Sequence, residues 1–480
     1  MANLPLLAAL NTIRTLQSHG HQALLAGGCV RDLLLGRTPA DFDVATDAPP
    51  TRVLTLFPRC FAVGAHFGVV LVANELPGGE RLTTEVATFR TESSYSDGRH
   101  PDQVRYSTRP EEDVARRDFT INGLLLDPAQ LFPGGQIPSI DLAAISDNGP
   151  DEILLAAFAS GSLAGPAAVK DFVGGLSDLR SGTLRAIGQP HLRFDEDRLR
   201  LLRAIRFAAR FSFQIEPSTL AAIQTLAPRV SSVSRERLRD ELTRMLTEGQ
   251  ARRAFELLDL SGLLPHLLPE VARMQGVQQP PEFHPEGDVF VHTLGLLAQL
   301  PSGCPMELAW AALLHDSGKP ATYTLTDRIR FNGHPEIGAV IAAALAERFR
   351  FSNQESELLT ALVANHMRFG DIRRMKASTL KRFFRQPSFD LHLELHRMDA
   401  TACGGRLENY EFALEKLADF AHQELRPKPL LNGHDLCRMG YQPSPEFKKM
   451  LELAEDAQLE GRISTALEAE ALVRAAFPIM

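Results

Sequence analysis

The chain has 480 residues and a mass of 52.8 kDa, enough for two to four folded units at ~150 residues each, so a single small module is excluded. Apolar residues at 44% and charged residues at 23% match ordinary globular usage and exclude wholesale disorder. With 51 Lys and Arg against 59 Asp and Glu, the formal charge of -8 offers no global positive field for nucleic acid, so polyanion contact must come from a local patch.

Cys29, Cys60, Cys304, Cys403 and Cys437 are widely spaced and form no CxxC pair, which argues against a disulfide framework or a thiolate zinc site and fits a reducing compartment. The first twenty residues carry helical apolar spacing without a basic leader, continuous apolar core or cleavage site, and predict a packed amphipathic helix. No apolar run reaches the ~20 residues of a membrane helix. The expectation is a soluble, cytoplasmic protein with no membrane partner.

Residues 1–170 mix that helix with β-rich runs at Phe67–Ala73 and Thr83–Phe89, predicting an α/β head. Within it, about 129–169 is rich in Gly, Ala and Ser and reads as an inserted loop. Residues 171–280 become helical, and 281–425 stay helical but place histidines beside acids. Residues 426–480 complete the chain as a helical tail. The fold class expected is α+β, with a mixed sheet and helices first and helices alone afterwards.

Gly27 and Gly28 end an apolar run and precede a helical Val-Arg-Asp-Leu pattern. Backbone amides there can approach phosphates without Cβ interference, with Arg31 positioned for the phosphates and Asp32 for bracing the loop. Asp41-Phe42-Asp43 follows; on an extended segment the two carboxylates share one face and can hold a pair of hard cations such as Mg²⁺. Glu85, in Thr83–Phe89, reads equally as a third carboxylate or an exposed strand acid.

Taken with Arg116-Arg117-Asp118-Phe119-Thr120-Ile121-Asn122 and with residues 171 to about 241, this block resembles the class II tRNA nucleotidyltransferases and bacterial poly(A) polymerases, of the superfamily that includes DNA polymerase β. The resemblance covers about half the chain and implies a polymerase-β-like head. It implies that Asp41 and Asp43 are catalytic and hold Mg²⁺, and that Gly28, Arg31, Arg117, Asp118 and Asn122 bind the incoming nucleotide. Glu196, Asp197 and Arg200 in FDEDRLRLL resemble the family's protein template for CTP and ATP. On one continuous helix their heads would converge. A carboxylate accepts from the exocyclic amine of cytosine or adenine and a guanidinium donates to ring nitrogens. Uracil and guanine would leave acceptors mismatched, at about 1–3 kcal/mol each.

Arg203, Arg206 and Arg210 continue at helical spacing; between Asp171 and Gln250 there are 13 Arg, no Lys and 10 acids. The stripe reads either as an RNA-backbone contact or as a solvated helix face. Ser234–Leu238 resembles a structural neck segment of the family.

Further on stand His292, the pair His315-Asp316 followed by Ser-Gly-Lys-Pro, then His334, His366 and Asp399. This pattern resembles the HD phosphohydrolase superfamily, and the resemblance implies a metal site of His292, His315, Asp316 and Asp399, with His334 and His366 holding a second ion. Imidazole and carboxylate suit Mn, Ni, Fe or Zn better than an all-oxygen Mg shell. The whole order resembles HD-containing bacterial CCA-adding enzymes, although residues 127–171 are longer than that family's connection. It implies template-independent addition of CMP and AMP to the tRNA 3′ end from CTP and ATP. Two alternatives stay open: a poly(A) polymerase or partial CC- or A-adding enzyme, and an HD metal phosphohydrolase whose head only binds RNA. Oligomeric state, HD substrate and HD metal are not legible in the sequence.

Overall fold

The computed structural model describes residues 3–62, 68–75, 81–93, 103–140, 150–159, 168–282, 284, 287–420 and 427–479. Of the predicted segments, Phe67 and the parts 141–149 and 160–167 of the insert lie outside the described residues. The chain divides into two compact units, Met1–Leu242 with Leu257–Leu267, and Thr243–Glu256 with Leu268–Met480.

The first unit opens with α1 (Leu4–Ser18), which buries Leu6, Leu10, Ile13 and Leu16 at i, i+4, i+7 and i+10, the spacing of a helix laid on a core. It is followed by β1 (Ala23–Ala26), α2 (Gly28–Leu34), β2 (Val44–Thr46), α3 (Pro50–Leu56) and β3 (Cys60–Ala62). Next come β4 (Val69–Glu75), β5 (Arg81–Thr88), β6 (Arg90–Ser93), β7 (Gln103–Tyr106), α4 (Pro110–Ala115) and β8 (Leu125–Leu126). The unit continues through α5 (Pro150–Ala159), β9 (Val169–Lys170), α6 (Gly175–Ser181), α7 (Pro190–Glu196) and α8 (Leu199–Phe211).

Seven strands form one mixed sheet in the order β3-β4-β5-β2-β1-β8-β9. β2 runs parallel to β5 with Val44 opposite Val86, while β1 is antiparallel to both β2 and β8. Alternation decides the faces. Val70 and Val72 on β4, and Thr84, Val86 and Thr88 on β5, point inward; the residues between them, Glu85 included, lie on the opposite face.

The sequence reading of 129–169 as a loop needs correction in its described part. Pro150–Ala159 is helical, with Pro150 at its first turn and Asp151 and Glu152 at its positive end. Leu154 is fully buried and the Asp151 carboxylate accepts the backbone N–H of Asn3 at 2.7 Å. Small residues concealed an amphipathic turn that has α1 as its partner.

Among its described residues the second unit consists of helices and their connections, with a hairpin pairing Thr324–Leu325 with Ile329–Arg330. One apolar cluster gathers Phe369, Phe383, Phe384 and Phe389, and another gathers Leu436, Met450 and Val473 of the C-terminal helices. Trp310, the chain's single tryptophan, is fully buried with ring centroids 6.0 Å from Phe349 and 5.5 Å from Phe351. Its indole N–H donates to Thr243 Oγ1 at 2.9 Å. Among the described residues no helix is long and apolar enough to cross a membrane.

Truncating Trp310 to Ala should cost the second unit about 3–5 kcal/mol in denaturant unfolding followed by circular dichroism. Wild-type stability in Trp310→Ala would contradict the packing described.

Candidate active site and metal centre

Phe42 and Val44 are buried in the sheet, so Asp41 and Asp43 between and before them face the other way. Assigned strand begins only at Val44, three residues later than a fully paired Asp41-Phe42-Asp43 would require. The ladder nonetheless reaches Asp43, whose carbonyl accepts the Ala26 N–H at 3.0 Å. Continuing the β2–β5 register by one residue sets Asp43 beside Glu85. The three acids therefore share one open face. Asp43 is pushed up to about 7, by burial first and then by the charges of Glu85 and Asp41, against the opposing pull of Arg117. Glu85 is raised by desolvation and by Asp41. Carboxylates that resist ionising together are a set that a divalent cation relieves, so the donors fit a hard metal ion.

Behind the acids, Gly27 turns the chain from β1 into α2 at φ 71°, where a Cβ would meet Arg117 Nη1 at 2.8 Å. Only glycine suits both the left-handed backbone and that approach. Arg31, buried to 4% exposure, donates to Asp32 and to Asn122 Oδ1 and lies over the rings of Phe207 and Phe211. Arg117 donates to the Asn122 carbonyl at 3.3 Å and pairs with Asp113 at 3.1 Å, and Arg116 pairs with the same Asp113. The sequence reading missed Asp113. Its signal was present, three and four residues before the two arginines on one helical turn.

Asp118 stands at the centre. Its carboxylate accepts from the Phe119 backbone N–H at 2.8 Å, from Asn122 Nδ2 at 3.0 Å and from Arg203 at 2.7 and 2.8 Å. Burial alone would raise this acid; Arg203 and Asn122 hold it down at about 2.

The expected single helix through the EDxxR block is broken. α7 ends at Glu196, Asp197 is extended at φ -144° and ψ 106°, and α8 starts at Leu199. The cause is local, because the Asp197 carboxylate accepts the Leu199 N–H at 3.1 Å and so competes with helix continuation. Glu196 pairs with Arg200 and with Arg193. Asp197 pairs instead with Arg237 at 2.7 Å, from the segment read as a neck brace. Arg200 also donates to the carbonyls of Arg193 and Arg116, so the RRDFTIN and EDxxR blocks meet.

The arginine stripe needs a matching correction. Arg206 is 4% exposed and bonded to Glu241 at 2.7 Å, so it is withdrawn from any RNA-facing surface. Arg203 is committed to Asp118, and Arg210 lies 3.9 Å from Asp32. Acids on three other elements turn a helix face that looked solvated into a set of clamps.

In the second unit, six predicted residues converge. Asp316, buried, sets Oδ2 at 3.3 Å from His315 and 3.7 Å from His292, and Oδ1 at 3.5 Å from His334 and 3.7 Å from His366. Asp399 Oδ1 is 3.1 Å from His292 Nε2. Nδ1 of His315, His334 and His366 faces the carbonyls of Ala312, Phe331 and Val363 at 3.0, 2.8 and 2.7 Å. A carbonyl only accepts, so these nitrogens carry the protons and each Nε2 presents a lone pair. His334 and His366 then oppose each other through Nε2 at 3.2 Å. Metal–nitrogen bonds of ~2.0–2.1 Å place adjacent nitrogen ligands about 2.9–3.4 Å apart, so the set fits a cation. Burial lowers His334 to about 4, keeping it neutral for ligation. Asp316 is held well below the carboxylate range, against the effect of burial, by Lys319 and His315. Lys319, with Nζ 2.6 Å from Asp316 and 2.6 Å from Gln279, was left without a role in the sequence reading. So were His284 and Cys403. Cys403 is signalled only by lying one helical turn after Asp399, and His284 sits outside any helix.

Three family models match: a poly A polymerase head domain over residues 23–133, a probable RNA and SrmB- binding site of polymerase A over 212–275, and an HD domain over 291–402. Poly(A) polymerase I of Haemophilus influenzae is 34% identical over 276 residues, 55% of this chain and 52% of that one. A CCA-adding enzyme of Enterococcus faecalis is 38% identical over 238 residues, 50% of this chain and 48% of its own length. The chain thus spans about half the length of the curated relatives it matches. Among solved structures, the Bacillus stearothermophilus CCA-adding enzyme in complex with CTP superposes with TM-score 0.66 at 24% identity, covering 99% of this chain and 98% of that one. The Thermotoga maritima enzyme complexed with tRNA gives TM-score 0.55 at 17% identity, covering 99% and 96%. The acids on the open sheet face, the buried Asp118 network and the HD cluster thus occur together in one chain whose head, RNA-binding segment and HD segment each match the corresponding family model, and which over about half its length is similar to CCA-adding enzymes and to a bacterial poly(A) polymerase.

Proposed function

We propose that the protein is a cytoplasmic, template-independent nucleotidyltransferase that adds CMP and AMP to the 3′ end of tRNA. The observation that carries this reading is the joint placement of the Asp41, Asp43 and Glu85 carboxylates with a nucleotide-selecting pair, Asp197 and Arg200, tied to the Asp118 block. Asp41 and Asp43 would hold Mg²⁺, which when bound lowers the pKa of an attacking hydroxyl and neutralises charge on the departing pyrophosphate. Gly27 and Gly28 leave room for phosphates against the backbone, and Arg117 stands beside that turn. Asp118 and Asn122 form the wall proposed to read the ribose. Asp197 accepts from the exocyclic amine of cytosine or adenine while Arg200 donates to a ring nitrogen, each exchanging a present partner for the base. Arg203 and Arg210 serve mainly as struts, which leaves RNA to be recognised by shape and backbone elsewhere on the chain.

A division into head (1–170), selecting neck (171–280), HD domain (281–425) and tail (426–480) belongs to this reading. In the HD domain His292, His315, Asp316 and Asp399, with His334 and His366, would hold one or two Mn, Ni, Fe or Zn ions. Such ions supply Lewis-acid activation for phosphoester hydrolysis. The resemblance to poly(A) polymerase I keeps a second reading, A-tail synthesis, in view.

The test is incorporation of labelled CTP and ATP into tRNA transcripts ending before the CCA triplet, after CC, or after CCA. The expected pattern is CCA, then A, then nothing; long A tails without CTP use would select the second reading. In the same assay Asp41→Ala should lower addition by at least ~10³-fold, about 4 kcal/mol of barrier, while Asp316→Ala leaves it unchanged. Addition by Asp41→Ala at the wild-type rate would remove the catalytic assignment.

The raised pKa of Asp43 acts on stability in one direction. Its folded pKa of about 7 lies above the ordinary aspartate value of 3.8, so the metal-free head loses stability as pH rises through that window. The melting temperature of metal-free protein should fall between about pH 4 and pH 7, the interval from the ordinary to the raised value, relative to Asp43→Asn. Mg²⁺ should raise it more at pH 8 than at pH 6, where protons compete for the carboxylate. Equal Mg²⁺ shifts at both pH values would contradict the clustering of the three acids.

A further inference from the structure

Beside the HD centre lies a second group of ligand atoms that the reading above does not use. Cys403 Sγ stands 3.5 Å from His284 Nδ1 and 3.9 Å from His292 Nδ1, and all three ligand atoms lie within 4.8 Å of one another. The rings of His284 and His292 meet edge to face with centroids 4.9 Å apart. Other histidines of the centre turn Nδ1 to the carbonyl three residues earlier. His292 Nδ1 faces the Cys403 thiol.

The distances also fit a metal centre, on whose loading the thiol would give up its present hydrogen bond to Asp399 Oδ1 at 3.6 Å. With metal–sulfur bonds of ~2.3 Å and metal–nitrogen bonds of ~2.0–2.1 Å, a tetrahedral centre separates sulfur from nitrogen ligands by about 3.6 Å. The two sulfur–nitrogen separations, 3.5 and 3.9 Å, bracket that value. Donor chemistry sets the class of ion: one thiolate and two imidazoles select a thiophilic cation of the zinc type over Mg²⁺ or Mn²⁺. Cys403 and His284 are half-buried while His292 is fully buried, which leaves the site open at one side for entry and for a fourth, solvent ligand. Cys29, the one fully buried thiol, donates its S–H to the Ala26 carbonyl.

We propose that His284, His292 and Cys403 form a soft-cation site distinct from the HD positions and joined to them through the His292 ring. Loading it releases the Cys403 thiol proton to solvent. His292 is shared between the two groups, Nε2 facing the HD positions at 3.1 Å from Asp399 and Nδ1 facing the Cys403 thiol. The site thereby couples the HD centre to the supply of a thiophilic metal, whatever the HD centre hydrolyses.

The test uses the full-length protein, stripped of metal and titrated with Co²⁺ and with Zn²⁺ under reducing conditions. Co²⁺ should develop a thiolate-to-cobalt charge-transfer band that Cys403→Ser abolishes, that His284→Gln weakens, and that Cys437→Ser, altering an exposed cysteine outside the group, retains. Elemental analysis should show Cys403→Ser holding one Zn²⁺ fewer per chain than wild type. A measurement that needs no variant follows alkylation of wild-type Cys403 by peptide mass spectrometry, where Zn²⁺ should slow modification at least tenfold. Bound cobalt without the band, or alkylation of Cys403 indifferent to Zn²⁺, overturns this site while leaving the HD centre standing. Wild type that binds no ion at all overturns both.

Discussion

The head depends on one buried carboxylate. Asp118 is closed off from water, yet it stays charged because Arg203, Asn122 and a backbone amide all point at it. Removing one partner from such a pair strands a charge in a low-dielectric interior, which typically costs about 3–5 kcal/mol. That penalty is what gives the arrangement its geometry. Arg203 belongs to α8, Asn122 to the turn after Asp118, and Arg31, which bonds to Asn122, to α2 behind the glycine turn. One ion pair therefore sets the register between the glycine turn at Gly27, the RRDFTIN block and the helix that follows Glu196 and Asp197.

The second unit repeats the logic with a different solution. Asp316 divides its two oxygens between two pairs of imidazoles, and Lys319 stands against it as the compensating charge. Backbone carbonyls on three of the four histidines determine which nitrogen carries the proton. Such anchoring commits the rings to ligation before any ion arrives, which is how a helical scaffold holds a metal site to tight tolerances. The acids of the head are less constrained. They lie on an open sheet face and repel one another, so cation binding there relieves charge already concentrated by the fold.

Much of this was legible in the residues themselves. The DxD motif is a short-range pattern of spacing and type, whereas the six HD residues, spread from His292 to Asp399, were implied by a family resemblance and are brought together by the fold. What was not legible depended on partners distant in sequence. Arg206 looked like a surface residue until Glu241, 35 positions later, took its guanidinium. Asp197 looked helical because the spacing allowed it, but a carboxylate that bonds the N–H two residues on ends a helix, and Arg237 then captures it from 40 positions away. Small residues between 150 and 159 masked a helix whose buried face is supplied by α1. Composition and period speak to local structure, whereas ion pairs across a core are decided by the fold as a whole.

The most direct measurement of the Asp118 clamp is a double-mutant cycle read by CTP affinity, using Asp118→Asn, Arg203→Met and the two combined. If this pair holds the nucleotide-binding block in register, each single change should weaken CTP binding by at least tenfold, and the double variant should be no weaker than the poorer single. Additive losses, or single variants that bind CTP as wild type does, would contradict the account.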